Sequence, residues 1–337
     1  MRSRILLALI FVVGFATRSS AQARFSAVVS GYHTGGCFFL AFPVSLPSAE
    51  WVVEPTEQTF LRSSDDVYTL ASADGQTVFA TLRPTTAHGL RIARLVFDTS
   101  LLNNGSHDFF EGLPDYFATT ALAVAKNGDV FAVVEKPVSG GIDWGIAVIS
   151  STGILERIVP VNSTLTRIAV AADNCTVLYT SGSFDGAVIR RVNACTGVSM
   201  PVFATASQRV TGLATMTNGD AFVTTVDTLQ RFNAGGVLVQ NYSIRNFDQD
   251  ALDAVAVSSD ERVVAVAAMG YCENRGQIIA LSTADGHEFW RRETSFISTA
   301  TGLAVGSLPA AIPLLPAPAL ALLGAVLSAI ALSCTRR

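Results

Sequence analysis

One pattern recurs five times between residues 68 and 268, and nothing else in the chain constrains its fold as tightly. The segments are Tyr68–Leu82, Ala121–Val134, Ile168–Ser181, Leu213–Thr225 and Val255–Ala268. Each is an apolar strand, a polar turn and a second apolar strand. The turns carry Asp74-Gly75, Asn127-Gly128, Asp173-Asn174, Asn218-Gly219 and Asp260-Glu261, successive pairs standing 53, 46, 45 and 42 residues apart. Asp-Gly and Asn-Gly suit tight hairpins because those residues accept positive φ at little cost. A second hairpin follows in Ile146–Ile158, Val188–Pro201, Leu229–Tyr242 and Ile278–Trp290, with a weaker version in Arg91–Leu102. Two hairpins per unit make four antiparallel strands, which is the blade of a β-propeller. Such strand spacing also fits a sandwich, but a fixed period and a repeated order of turns favour radial repetition.

The two ends of the repeat region complete each other. Ala27–Pro43 resembles Val264–Ser282, including Gly31-Tyr32 against Gly270-Tyr271, so the chain enters at the second strand of a blade. Thr301–Ser307 resembles the first strand of the other units. The expected fold is all-β: a six-bladed β-propeller over 24–306, closed by N- and C-terminal strands in one blade, plus a C-terminal transmembrane helix. The blades are expected at 25–54 with 301–306, then about 65–110, 117–160, 164–203, 209–243 and 252–293. Closure removes unpaired sheet edges that invite aggregation.

Residues 1–23 read as a signal peptide. Arg2 and Arg4 precede an apolar run from Ile5 to Ala16, and Ala21-Gln22-Ala23 offers small residues for cleavage. An uncleaved anchor helix is the alternative, although the run is short for a bilayer. At the other end no residue is charged from Thr294 to Thr335. Residues 307–318 form a Pro-rich linker. Residues 319–337 read as a transmembrane helix with an Arg tail; Ala319–Cys334 would span about 24 Å as a helix, and Arg336-Arg337 would stay on the cytoplasmic side. A buried helix of the fold is the alternative for this segment.

Two resemblances follow from these residues. Ile312-Pro313-Leu314-Leu315-Pro316, the apolar Ala319–Leu332 and the terminal Arg pair resemble the bacterial sorting signals of the PEP-CTERM and IPTL-CTERM type. That likeness implies export and display at the cell surface or the outer side of the cytoplasmic membrane. The repeats resemble YVTN-type and quinoprotein-like propeller units, best in Gly276–Leu281 followed by Asp285-Gly286. This second likeness implies the architecture and says little about activity.

Composition narrows the function classes. Half of the 337 residues are apolar and 15% are charged, which excludes a disordered chain. A net charge of −4 gives no reason to expect a nucleic-acid partner. Neither a phosphate-binding loop nor a dinucleotide fingerprint is present. Of the five cysteines, Cys175 and Cys195 flank neighbouring strand ends of one blade and are expected to bond. Cys37 and Cys272 occupy matching loops of the first and last blades and form a second candidate pair; free buried thiols are the alternative for both.

Candidate binding residues belong to the loops between second and third strands and between blades, where propellers usually carry function. They are Asp115, Tyr116, Glu135, Asp143, Trp144, Asp185, Tyr271 and Glu273. Trp144 and Tyr116 beside acids suit peptide or glycan recognition, while packing between blades would also account for them. The inner strands read as small and uncharged, so a wide charged channel is not expected. Acidic oxygens around the axis could hold Ca²⁺, although solvated loop charge gives the same composition; no other cofactor is expected. The favoured reading is a non-catalytic module that binds a protein or surface polymer. The alternative is a metal-dependent, lactonase-like hydrolase; a quinone-dependent dehydrogenase ranks third.

Overall fold

The computed structural model describes residues 24–33, 36–45, 52–53, 67–74, 77–82, 89–96, 107–181, 188–206, 208–242, 244, 250–270, 275–294 and 299–305. The leader, the Pro-rich linker and the apolar tail lie outside these residues. Among the described residues no helix is long and apolar enough to cross a membrane.

Among the described residues twenty-four strands form six four-stranded sheets. The chain begins with β1 (Arg24–His33), β2 (Gly36–Ser45) and β3 (Val52–Val53). Five sheets of four consecutive strands follow. The first holds β4 (Val67–Ala71), β5 (Thr77–Leu82), β6 (Leu90–Val96) and β7 (His107–Gly112). The second holds β8 (Phe117–Val124), β9 (Val130–Val138), β10 (Gly141–Ile149) and β11 (Leu155–Val161). The third holds β12 (Leu165–Val170), β13 (Thr176–Ser181), β14 (Val188–Asn193) and β15 (Val198–Thr205). The fourth holds β16 (Gly212–Thr215), β17 (Ala221–Thr224), β18 (Leu229–Phe232) and β19 (Leu238–Tyr242). The fifth holds β20 (Asp250–Val257), β21 (Val263–Gly270), β22 (Arg275–Ser282) and β23 (Glu288–Thr294). The last strand, β24 (Thr299–Val305), pairs antiparallel with β1.

The architecture is an all-β propeller. Against the expectation of a six-bladed propeller, five blades follow the unit of four consecutive strands; the terminal strands do share one sheet, which is composite, in the order β24-β1-β2-β3, with an outer strand of only two residues among those described. The physical reason is that the repeat enters and leaves in mid-unit, so no single run of chain supplies all four strands of that sheet. The inner strands neighbour one another in the order β4, β8, β12, β16, β20, β24 and back to β4.

The inner two or three strands of a blade are covered on both faces, which is why they read as unbroken apolar runs rather than alternations. In β9 and β10, Phe131, Val133, Ile146 and Val148 pack towards Ile168, Val177 and Tyr179 of the next blade. Their neighbours Val130, Ala132, Val134, Ala147 and Ile149 pack the other way, onto Phe79, Leu90 and Ile92. Each fully buried Val, Ile or Phe contributes roughly 1.5–3 kcal/mol. The outermost strands have water on one side and turn polar: of β15 only Phe203 and Ala204 are buried.

The first-hairpin turns reuse one local device. In each of four blades an Asn or Asp side chain accepts from a backbone N–H two residues on, at 3.0–3.3 Å: Asn127, Asp173, Asn218 and Asp260. The next residue has positive φ: Gly128 (89°), Asn174 (57°), Gly219 (87°) and Glu261 (58°). Glycine or asparagine suits that position. Glu261 does not, and its compensation is described below. A close approach dictates another glycine. At Gly236, between β18 and β19, a Cβ would sit 1.7 Å from the carbonyl oxygen of Phe203 in the preceding blade.

The Cys175–Cys195 disulfide is present, with Cα atoms 5.2 Å apart. Thr176 pairs with Asn193 in the β13–β14 ladder, so the residues just outside that pair meet on one face. Closing a loop of this length stabilises by about 3 kcal/mol in the chain-entropy account. Cys272 and the side chain of Cys37 lie outside the described residues; Cys37 itself stands in β2 opposite Tyr32, in a strand rather than the expected loop.

Candidate binding surface and axial cavity

The tallest feature described on the loop face is the β9–β10 hairpin. Its strands have nine residues each and connect through Ser139-Gly140, with Gly140 at φ 116°. The matching β17–β18 hairpin has four-residue strands starting from an equivalent turn. Five extra residues at ~3.3 Å each lift the β9–β10 tip roughly 16 Å higher. Val138 is 39% exposed and Ile142 50% exposed at that tip.

This extension corrects the placement of three candidates. Glu135, Asp143 and Trp144 were expected in a loop but lie in strands, because the apolar and β-branched residues around them continue the ladder: Glu135 pairs with Trp144 and Lys136 with Asp143. Cross-strand partners share a face, so the candidate residues divide. Trp144 packs partly buried on the cluster shared with the β12–β15 blade, and Glu135 shares its side. Lys136 and Asp143 face the other way. There Lys136 Nζ lies 3.8 Å from Asp115 Oδ2 and 5.3 Å from the centre of the Tyr116 ring. Tyr116, in the turn before β8, leans on the cluster shared with the β4–β7 blade. Burial pushes the Glu135 carboxyl above its usual range. Asp185, Tyr271 and Glu273 lie outside the described residues.

The inner strands line an open-ended axial cavity of about 150 Å³ whose side chains are mostly small and apolar, with polar groups from Thr69, Lys126, Arg167, Thr215, Ser258 and Glu261. Its two ends differ. At the first-hairpin end Lys126 Nζ donates to Glu261 Oε1 at 3.2 Å. Lys126 follows β8 and Glu261 follows β20, which stand three places apart around the ring, so this ion pair crosses the axis. Glu261 also accepts from the Thr217 amide at 2.6 Å and from the Thr217 hydroxyl. The Lys126 amide donates to Asn174 Oδ1 at 3.1 Å. Four blades are thereby tied at one mouth. Burial alone would raise the Glu261 carboxyl, but the Thr217 hydroxyl and amide together with Lys126 bring it below its ordinary value.

Near the other mouth lies Arg167, in β12. Its Nε donates to the Thr211 carbonyl of the next blade and its Nη1 to the Thr166 carbonyl at 2.8 Å. Burial lowers its pKa; the charge of Asp253 opposes that shift and the charge of Arg209 reinforces it. Arg167 and the buried Asp253 overturn the expectation of uncharged inner strands. Both sit near the start of their strand, where the small-residue motif read from the sequence has not yet begun. The signal for Arg167 was available: it is a basic residue just ahead of the repeated apolar run. The signal for Glu261 was a glutamate in the turn position where sister repeats place Gly or Asn.

Among the described residues no three His, Cys, Asp or Glu side chains converge as a metal site would require. A shallower groove of about 460 Å³ lies on the first-hairpin face beside Asp74, Arg94 and Asn127.

No family model matches the sequence, and no curated protein matches it. Solved structures do resemble it. A nidogen–laminin complex aligns with 85% of this chain and all of that chain, at 12% identity and TM-score 0.59. TolB from Acinetobacter baumannii aligns with 84% of this chain and 66% of that one, at 13% identity and TM-score 0.58. The periplasmic gluconolactonase PpgL of Pseudomonas aeruginosa aligns with 80% of this chain and 83% of that one, at 15% identity and TM-score 0.50. At such identities the likeness establishes the fold alone, and the fold is the β-propeller.

Proposed function

We propose that this chain is an exported, non-catalytic propeller that binds a protein or surface polymer through its loop face. The observation that carries the reading is the raised β9–β10 hairpin. It presents exposed Val138 and Ile142 at its tip, carries half-buried Trp144 beside Glu135 on one face, and on the other meets Asp115 and Tyr116 of the turn before β8 through Lys136. Projecting apolar side chains with aromatics and charges beside them suit the anchors of an interface. Asp185, Tyr271 and Glu273 belong to the same proposed face. In this reading the composite sheet counts as the sixth blade, supported by the position of β24 among the strands lining the cavity.

Export rests on the leader at 1–23, and a disulfide is at home in an oxidising compartment. Segments 307–318 and 319–337 act as sorting linker and membrane anchor. Mass spectrometry of the mature protein tests both termini: a mature chain starting at Met1 would count against cleavage of the leader. The binding reading is tested by selecting ligands for the full chain from a peptide-display library and a glycan array. Trp144→Ala and Ile142→Asp should each weaken the selected ligand at least about tenfold. Turnover of a lactone or ester panel by the purified chain would overturn the non-catalytic assignment in favour of the hydrolase alternative.

A further inference from the structure

Away from the raised hairpin, the exposed apolar side chains gather at one place on the rim. Five of the nine large ones among the described residues are Val198 and Val202 of β15 with Val237, Leu238 and Val239 at the start of β19. The two strands belong to neighbouring blades, and the close approach of Gly236 to the Phe203 carbonyl joins the two sets into one patch. We propose that this rim is a self-association surface: β19 pairs antiparallel with β19 of a second copy, and two propellers form a two-fold dimer.

The argument begins with the backbone. An outer strand presents a row of unpaired N–H and C=O groups, which templates pairing with another chain unless something blunts it. In the five blades of consecutive strands, four outer strands carry a charge or a proline: Asp108 in β7, Glu156 in β11, Pro201 in β15 and Glu288 in β23. The fifth, β19, reads Leu-Val-Gln-Asn-Tyr and carries neither. A bulge interrupts the pairing of all five, so it does not set β19 apart. Among the described residues no strand pairs with the outer edge of β19.

The second part is the occupant. No residue from Phe232 to Ile244 is charged. Two identical edges therefore meet without setting like charges opposite each other, which is the ordinary bar to a self-pair. An antiparallel copy also offers the same alternation of donors and acceptors, so a two-fold pair satisfies both edges at once. The paired strand has only five residues, which places the dimer among weak, concentration-dependent interfaces. The β18–β19 turn lies at the first-hairpin end, so this pairing leaves the raised β9–β10 hairpin of each copy free.

Sedimentation velocity of the full chain in excess neutral detergent, which disperses the apolar tail, tests this. The wild-type chain should show a monomer–dimer equilibrium with a dissociation constant of about 1–100 µM. Val239→Lys and Val239→Glu should each be monomeric, and their equimolar mixture should dimerise again. Ile154→Lys, the same change at an exposed apolar site on another blade, should dimerise like the wild type. A wild-type chain that stays monomeric at about 200 µM would overturn the proposal by itself, whatever the variants do. So would dimers that persist in both Val239 variants, a mixture that stays monomeric, or loss of the dimer in Ile154→Lys.

Discussion

The two ends of the axial cavity are made from the same strands and follow opposite rules. At the first-hairpin end four of the turns repeat a side-chain-to-backbone bond and a positive-φ residue, and these four blades are tied by Lys126, Asn174, Thr217 and Glu261. At the other end the hairpins differ in height by five residues per strand, and Arg167 reaches across to the next blade instead of forming an equivalent repeated contact. One end is uniform and stabilising. The other is varied, which is where recognition can be specific.

If the first-hairpin end is the stabilising one, breaking its staple should have the largest effect. Reduction of Cys175–Cys195, or the Cys175→Ser/Cys195→Ser pair, should cost about 3 kcal/mol. Chemical denaturation with and without reductant measures it. The same treatment should leave ligand binding at the opposite face within about twofold while the chain stays folded, because distant sites couple weakly.

Glu261 sharpens the comparison further. Glu261→Ala removes the carboxylate and keeps a Cβ in the left-handed region, so it should cost about 2 kcal/mol. Glu261→Gly removes the carboxylate but relieves roughly 1 kcal/mol of backbone strain, and should be milder by that amount. The pH dependence has a definite sign. The folded carboxyl lies below its unfolded value of about 4.5, so its contribution is complete above that pH and is lost as pH falls through the lower folded value. Acid titration of stability should therefore be shallower in Glu261→Gln than in the native chain. A parallel pair of curves would remove the cross-axis tie from the account.

The same contrast explains how much could be read before any coordinates. The turns of the stabilising end are local: Asn127-Gly128 or Asp173-Asn174 determines its own hairpin within five residues, so period, strand order and blade build were legible. The disulfide was legible for the same reason, as Thr176 and Asn193 are fixed by that hairpin ladder. The opposite end is non-local. Whether Glu135 and Trp144 lie in a loop or a strand depends on how far the ladder continues, and the apolar residues on both sides of Lys136 continue it. Arg167 meets Thr211 44 residues away, which no window of sequence displays. The split of Glu135 and Trp144 from Lys136 and Asp143 onto two faces depends on strand parity, and parity is unreadable until the strand itself is recognised.

The smallest expected effect comes from the end with the uneven hairpins and runs opposite to that of Glu261. Glu135 stands beside Trp144, and burial raises its carboxyl with no compensating cation among the described residues. A raised folded value means that the protonated form is favoured on folding. The relative gain is full below the unfolded value and is lost as pH rises through the folded one. Glu135→Gln should therefore stabilise the chain at neutral pH, and the difference from the native chain should vanish near pH 4. The side chain is only half-buried, so screening holds the gain to a few tenths of a kcal/mol. Paired melting curves at pH 4 and pH 7 resolve it. A native chain stabler than Glu135→Gln at pH 7 would mean that this carboxylate has a cationic partner, and that the face presented by Trp144 is not the unpaired acidic surface from which the binding role is argued.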